Sequence, residues 1–177
     1  MAEEKLPVSF DPVRFAKWGR HLEGNIPLSK MSRIAGLATA LRGDLWLSLD
    51  CSMGEDRVRA LRGHIKAVVP MQCQRCMEEV EITVDSTFTL GVVDSEAYAE
   101  KLPEEYEPLL IEEDEKLFLQ DLIEDELILA LPIVAMHPDQ GCQISYAADP
   151  AAGEDTNLRQ AESQQESPFA MLKDLKI

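Results

Sequence analysis

The hydrophobic pattern changes period along this chain, and each change marks an element. Phe15, Trp18 and Leu22 recur at helical spacing, with Arg14, Lys17 and His21 turned toward water. Asp11-Pro12 is a strong helix start. An Asp side chain accepts an orphan N–H there, and proline at the first helical position forfeits no hydrogen bond. Gly24-Asn25 is the expected close, and Ser29 or Ser32 would cap a second short helix reaching about Leu37. From Gly43 the period drops to two, as Leu45, Leu47 and Leu49 alternate with Trp46, Ser48 and Asp50. A turn at Gly54-Glu55-Asp56 leads into a second run whose register shifts near Ala60-Leu61, as a β-bulge would cause. The third run alternates through Val80, Ile82, Val84, Phe88 and Leu90. Three runs with short connections predict an antiparallel meander, one face packed and the other wet.

Residues 94–116 are acidic and proline-punctuated, a surface loop with one short strand at 109–111. In the segment 117–132, Leu119, Leu122, Ile123, Glu126, Leu127 and Ala130 share one side of a helix that Pro132 ends. The consecutive carboxylates Glu124, Asp125 and Glu126 diverge around that helix and read as a solvated face. The expected fold is therefore α+β. Residues 1–146 form one domain, in which a sheet from about 43–93 is packed against the N-terminal helix and helix 117–131. Residues 147–166 read as a flexible acidic and polar linker, and 167–177 regain helical periodicity as a C-terminal helical segment.

With 45% hydrophobic and 28% charged residues, the chain has the composition of a soluble globular protein. No apolar run reaches the roughly 18 residues a membrane span needs. The acidic, proline-containing start does not resemble a signal peptide, so a cytoplasmic location is expected, with no membrane partner. The net charge of −16 argues against a polyanionic partner until it is divided along the chain. Residues 1–80 carry 12 Lys and Arg against 10 Asp and Glu, whereas residues 81–177 carry 5 against 23. Arg57, Arg59, Arg62, His64, Lys66 and Arg75 are the candidate phosphate contacts, with Arg14, Lys17 and Arg20 extending them. Alternate strand positions put Arg62, His64 and Lys66 in one row. Spacing alone favours the alternative, that these Lys and Arg residues guard a sheet edge against aggregation.

The sharpest local motif is CQRC, which sets Cys73 and Cys76 on a turn between two strands. Two thiolates at that spacing form a bidentate knuckle for zinc. His137 and Cys142 would complete a Cys3His set; the alternative is that all four are ordinary small buried residues. A thiol-redox role would want the first Cys at a helix N-terminus, which a strand–turn–strand setting does not supply. There is no P-loop, no GxGxxG and no Ser-His-Asp spacing, so no enzyme active site is expected.

Five segments recur in a familiar order: DPVRF at 11–15, CQRC at 73–76, LPEEYEPLLI at 102–111, IEDELILALPIVAMH at 123–137 with Cys142 beyond, and SPFAMLKDLK at 167–176. In this the chain resembles the YceD family, the large ribosomal RNA subunit accumulation proteins of bacteria. The resemblance implies a non-enzymatic role in synthesis, processing or stability of 23S ribosomal RNA. Other branches look richer in cysteine near this C-terminal region, which supports Cys73, Cys76 and Cys142 as metal ligands. The expected partner is ribosomal RNA or a large-subunit precursor, met by the basic half. The rival expectation is an adaptor that acts on an assembly factor or nuclease without touching RNA. It would use the acidic surface or the C-terminal segment.

Overall fold

The computed structural model describes residues 6–54, 57–112, 115–138 and 142; the expected linker and C-terminal helical segment lie outside the described residues. In chain order the elements are β1 (Ser9–Phe10), α1 (Pro12–Trp18), β2 (Arg20–Pro27), β3 (Asp44–Met53), β4 (Arg59–Gln72), β5 (Glu79–Val93), α2 (Glu96–Ala99), β6 (Glu107–Leu110), β7 (Leu117–Phe118) and α3 (Leu119–Ala130). The fold is α+β. A five-stranded sheet runs β2-β3-β4-β5-β6, antiparallel except for β6, which joins β5 in parallel. β1 and β7 form a separate antiparallel pair.

Asp11 caps α1 as its residue type dictates, its carboxylate accepting the Arg14 N–H at 2.9 Å. The helix then stops earlier than expected. Gly19 takes the left-handed conformation at φ 60°, its N–H bonding back to the carbonyl of Ala16. Arg20–Pro27 is consequently a strand, with Leu22 and Ile26 inward, and not the end of a helix closing at Gly24-Asn25. The helix expected near Ser29 and Ser32 is two separate 3₁₀ turns, Leu28–Lys30 and Ile34–Gly36, neither capped by the side chain of the residue before it.

The pairing of β4 is continuous on both sides, from Met53 opposite Arg59 to Trp46 opposite Lys66, and from Arg59 opposite Val92 to Gln72 opposite Glu79. There is no bulge at Ala60-Leu61. The apparent register shift has another cause: both faces are covered at that end of the sheet. Gly91 pairs with Ala60, and a Cβ at Gly91 would lie 3.0 Å from a Leu102 methyl and 3.2 Å from Tyr106 Cβ. The 102–106 segment therefore packs over the otherwise wet face and buries Ala60.

The other face carries the core. Leu45, Leu47 and Leu49 of β3, Leu61 and Ile65 of β4 and Val84, Phe88 and Leu90 of β5 pack with Leu119, Ile123 and Leu127 of α3. Gly63 sits under the ring of Phe88, where a Cβ would fall 1.9 Å from the ring carbon Cζ, so a side chain there would displace the aromatic.

One carboxylate departs from the solvated face expected of 124–126. Glu124 is 1% exposed and accepts the backbone N–H groups of Arg33 at 2.6 Å and Ile34 at 3.0 Å. These are orphan donors at the start of a 3₁₀ turn, and a buried carboxylate is tolerated because they satisfy it. The Arg33 guanidinium adds its charge at 3.5 Å and also pairs with exposed Asp125. Glu126, half-buried, has its carboxyl pushed up to about 7 by burial and by the charges of Glu107 and Asp125.

Candidate metal centre and basic surfaces

The long antiparallel pair β4–β5 must reverse direction within residues 73–78, and the reversal builds a knuckle. Cys73 N–H donates to the Glu78 carbonyl at 2.8 Å and Met77 N–H to that of Cys73 at 2.9 Å. Met77 takes a left-handed backbone at φ 64°. After α3 ends before Pro132, the chain passes back along this knuckle. Gln74 N–H donates to the Ala135 carbonyl at 2.9 Å, the Gln74 side-chain amide to that of Ile133 at 3.4 Å, and Arg75 to that of His137 at 3.5 Å. Those bonds bring a segment some 60 residues distant against the CQRC turn.

The result is the Cys3His set that the sequence offered as one of its readings. The Sγ atoms of Cys73, Cys76 and Cys142 and a ring nitrogen of His137 all lie within 4.8 Å of one another. Cys73 and Cys142 are 3.5 Å apart, and His137 Nδ1 is 3.4 Å from Cys76 Sγ and 3.3 Å from Cys142 Sγ. A tetrahedral zinc with bonds of about 2.3 Å to sulfur and 2.0 Å to nitrogen requires ligand–ligand separations of roughly 3.4–3.8 Å. The donor set and its spacing fit a metal ion. The outer nitrogen fits as well, because His137 Nε2 donates to the Glu79 carbonyl at 3.1 Å.

The electrostatics favour the thiolate at Cys73. Burial opposes ionisation of Cys73, but backbone N–H groups at Cys76, His137 and Arg75 and the Cys142 thiol bring it down to about 5. The Glu78 backbone favours the Cys76 thiolate, yet burial and the neighbouring sulfurs raise that thiol above its usual value. His137 is raised by its contacts with Cys73 and Cys142. Cys51 lies apart in the core, its thiol pushed up to about 12 by burial and by Asp50.

The candidate phosphate contacts divide into separate groups. Arg62, His64 and Lys66 do line up on the wet face of β4, but with partners of their own. Arg62 donates to the Ser52 hydroxyl at 3.1 Å and the Tyr106 hydroxyl at 3.3 Å. Asp85, opposite Lys66 on β5, bridges His64 at 2.5 Å and Lys66 at 3.2 Å. Trp46 completes the row, edge-on to His64 and under the Lys66 ammonium. Arg57, Arg59 and Arg14 stand at the far end of the sheet, where Arg59 lines two adjoining cavities. Arg14 is paired with Asp11 there. Lys17 is exposed on α1, with Arg20 stacked over Phe15, and Arg75 belongs to the knuckle. Trp46 and Tyr106 were not candidates from the sequence. Trp46 carried a usable signal, an aromatic on the polar phase of a strand, whereas the role of Tyr106 depends on a loop fold.

The family profile described as "Large ribosomal RNA subunit accumulation protein YceD" matches residues 61–176. The chain belongs to the YceD family. Its matched span takes in most of β4, all of β5 and α3, and all four clustered ligand candidates. Among curated relatives, the Large ribosomal RNA subunit accumulation protein YceD of Haemophilus influenzae is 31% identical over 176 residues, covering 99% of each chain. No solved structure matches. Among the described residues of this YceD-family chain, no helix is long and apolar enough to cross a membrane.

Proposed function

We propose that this protein supports the accumulation of large-subunit ribosomal RNA by binding the RNA or its precursor particle directly, as a binding protein and not an enzyme. The end-to-end match to a curated YceD protein carries the assignment to ribosomal RNA. The wet face of the sheet supports direct contact: Arg62, His64 and Lys66 share one row with Trp46, joining phosphate-binding charge to an aromatic surface. Asp85 is then the internal counter-ion that a phosphate must displace.

Zinc is the metal this reading assigns to Cys73, Cys76, His137 and Cys142. Three sulfurs and one imidazole leave no open position, so the ion's part would be structural. It would tie the 132–142 segment to the β4–β5 turn at the end of the sheet.

The test is binding of labelled 23S ribosomal RNA fragments across a salt series. Lys66→Glu and Arg62→Glu should each weaken binding and flatten its dependence on salt. Unchanged affinity with an unchanged slope removes the row from the interface. Cellular crosslinks to protein alone, with no RNA adducts on residues 1–80, would replace this reading with the adaptor.

A further inference from the structure

The cavity at the far end of the sheet, of about 660 Å³, is not used by the sheet-face row. Its walls carry Arg57 and Arg59 from the β3–β4 side and Tyr98 and Lys101 from the α2 side, with Asp94 the one carboxylate among the described residues. Among the described residues none of these three cations lies in an ion pair. Tyr98 is 60% exposed, and Lys101 stands 5.8 Å over its ring.

The cavity is also built. Leu102 and Tyr106 are seated against Gly91, and the Tyr106 hydroxyl reaches over Gly54, where a Cβ would come within 2.6 Å of it. The tyrosine takes a hydrogen bond from Arg62. Two glycines and an arginine thus fix the loop that presents Tyr98 and Lys101 beside Arg57 and Arg59. Three cations with no ion-pair partner among the described residues, beside an exposed aromatic ring, meet the two needs of a single-stranded nucleotide, phosphate neutralisation and base stacking. A duplex keeps its bases stacked on each other and has no face to offer Tyr98.

We propose that this cavity takes one unpaired nucleotide of RNA, its base on Tyr98 and its flanking phosphates on Arg57, Arg59 and Lys101. The proposal deepens the RNA-binding reading above and rests on it. It also gives the 94–106 loop, acidic elsewhere, a function separate from the sheet face.

The probe is fluorescein-labelled hexauridylate, titrated with the full chain by anisotropy at several salt concentrations. Binding should weaken about fivefold or more in Tyr98→Ala with little change in salt slope, because stacking is lost and charge is not. Lys101→Gln should weaken it and lower the slope by about one. Both side chains are exposed, and Arg59→Gln provides a third variant. Unlabelled uridine monophosphate at the same concentration should not displace the oligomer; displacement would assign the cavity to free nucleotides and overturn the RNA proposal. Wild-type affinity in both Tyr98→Ala and Lys101→Gln, with loss in Lys66→Glu, would exclude the cavity and leave the sheet face standing. So would binding of 23S fragments without binding of hexauridylate. No binding of either RNA would bring down both.

Discussion

His137 donates Nε2–H to the backbone carbonyl of Glu79 at 3.1 Å, and that bond decides which nitrogen faces the thiols. A carbonyl can only accept, so Nε2 carries the proton, and in the neutral imidazole the Nδ1 lone pair then points at Cys76 and Cys142. The neighbour on β5 thus fixes the imidazole in the tautomer a metal requires.

The reduced full chain, expressed with metal supplied, should carry one zinc, seen as about 65 Da of added mass by native mass spectrometry. His137→Ala and Cys142→Ser should lose it and melt at lower temperature, by several kcal/mol of folding free energy. Cys51→Ser should keep it. Metal-free wild-type protein with reduced thiols would refute the assignment.

Removing the Glu124 carboxylate should unfold the protein more readily than its exposed neighbours do. Glu124→Ala strands the N–H groups of Arg33 and Ile34 in the interior, at a cost of about 2–4 kcal/mol, or on the order of 10 °C in Tm. Glu124→Gln keeps an acceptor oxygen and should lose less. Asp125→Ala, removing an exposed partner of Arg33, should change Tm little. Equal losses for the three variants would contradict the buried role.

Asp85 offers a gain-of-binding test. Its contacts with His64 and then Lys66 hold its carboxyl below the usual range. Asp85→Asn removes that counter-charge and should tighten binding of 23S fragments a few-fold at low salt. An affinity that falls or does not move would place RNA elsewhere on the molecule.

Glu126 predicts an inverted pH dependence. Its folded value of about 7 lies above the usual carboxylate range, so the folded state holds more protons than the unfolded one between roughly pH 4.5 and 7. This group therefore favours folding at low pH and weakens it as pH rises through 7. Glu126→Gln should raise Tm at pH 8 and scarcely alter it at pH 4.5. Because the group is half-exposed, the gain should be on the order of 1 kcal/mol, about 2–4 °C. A melting scan showing the same difference at both pH values would count against the shift.

The three central strands, the capped start of α1 and the buried stripe of α3 were legible because each rests on a local rule of period or capping. So was the Cys3His combination, since few other Cys and His residues exist to pair. The end of α1 was misread because Trp18 and Leu22 satisfy helical spacing by chance, while Gly19 supplies the stop. The bulge was misread because two-sided burial imitates a register shift, and the cover comes from residues 102–106, some forty positions away.

Sequence alone determined which residue types were present and which faces they would share, since backbone periodicity is a local property. Tertiary structure decided their company: that Asp85 neutralises Lys66, that Glu124 is buried against Arg33, and that Tyr98 and Lys101 stand beside Arg57 and Arg59. Charge pairing and burial depend on distance in space, and chain positions about twenty, forty or ninety residues apart do not encode that distance locally.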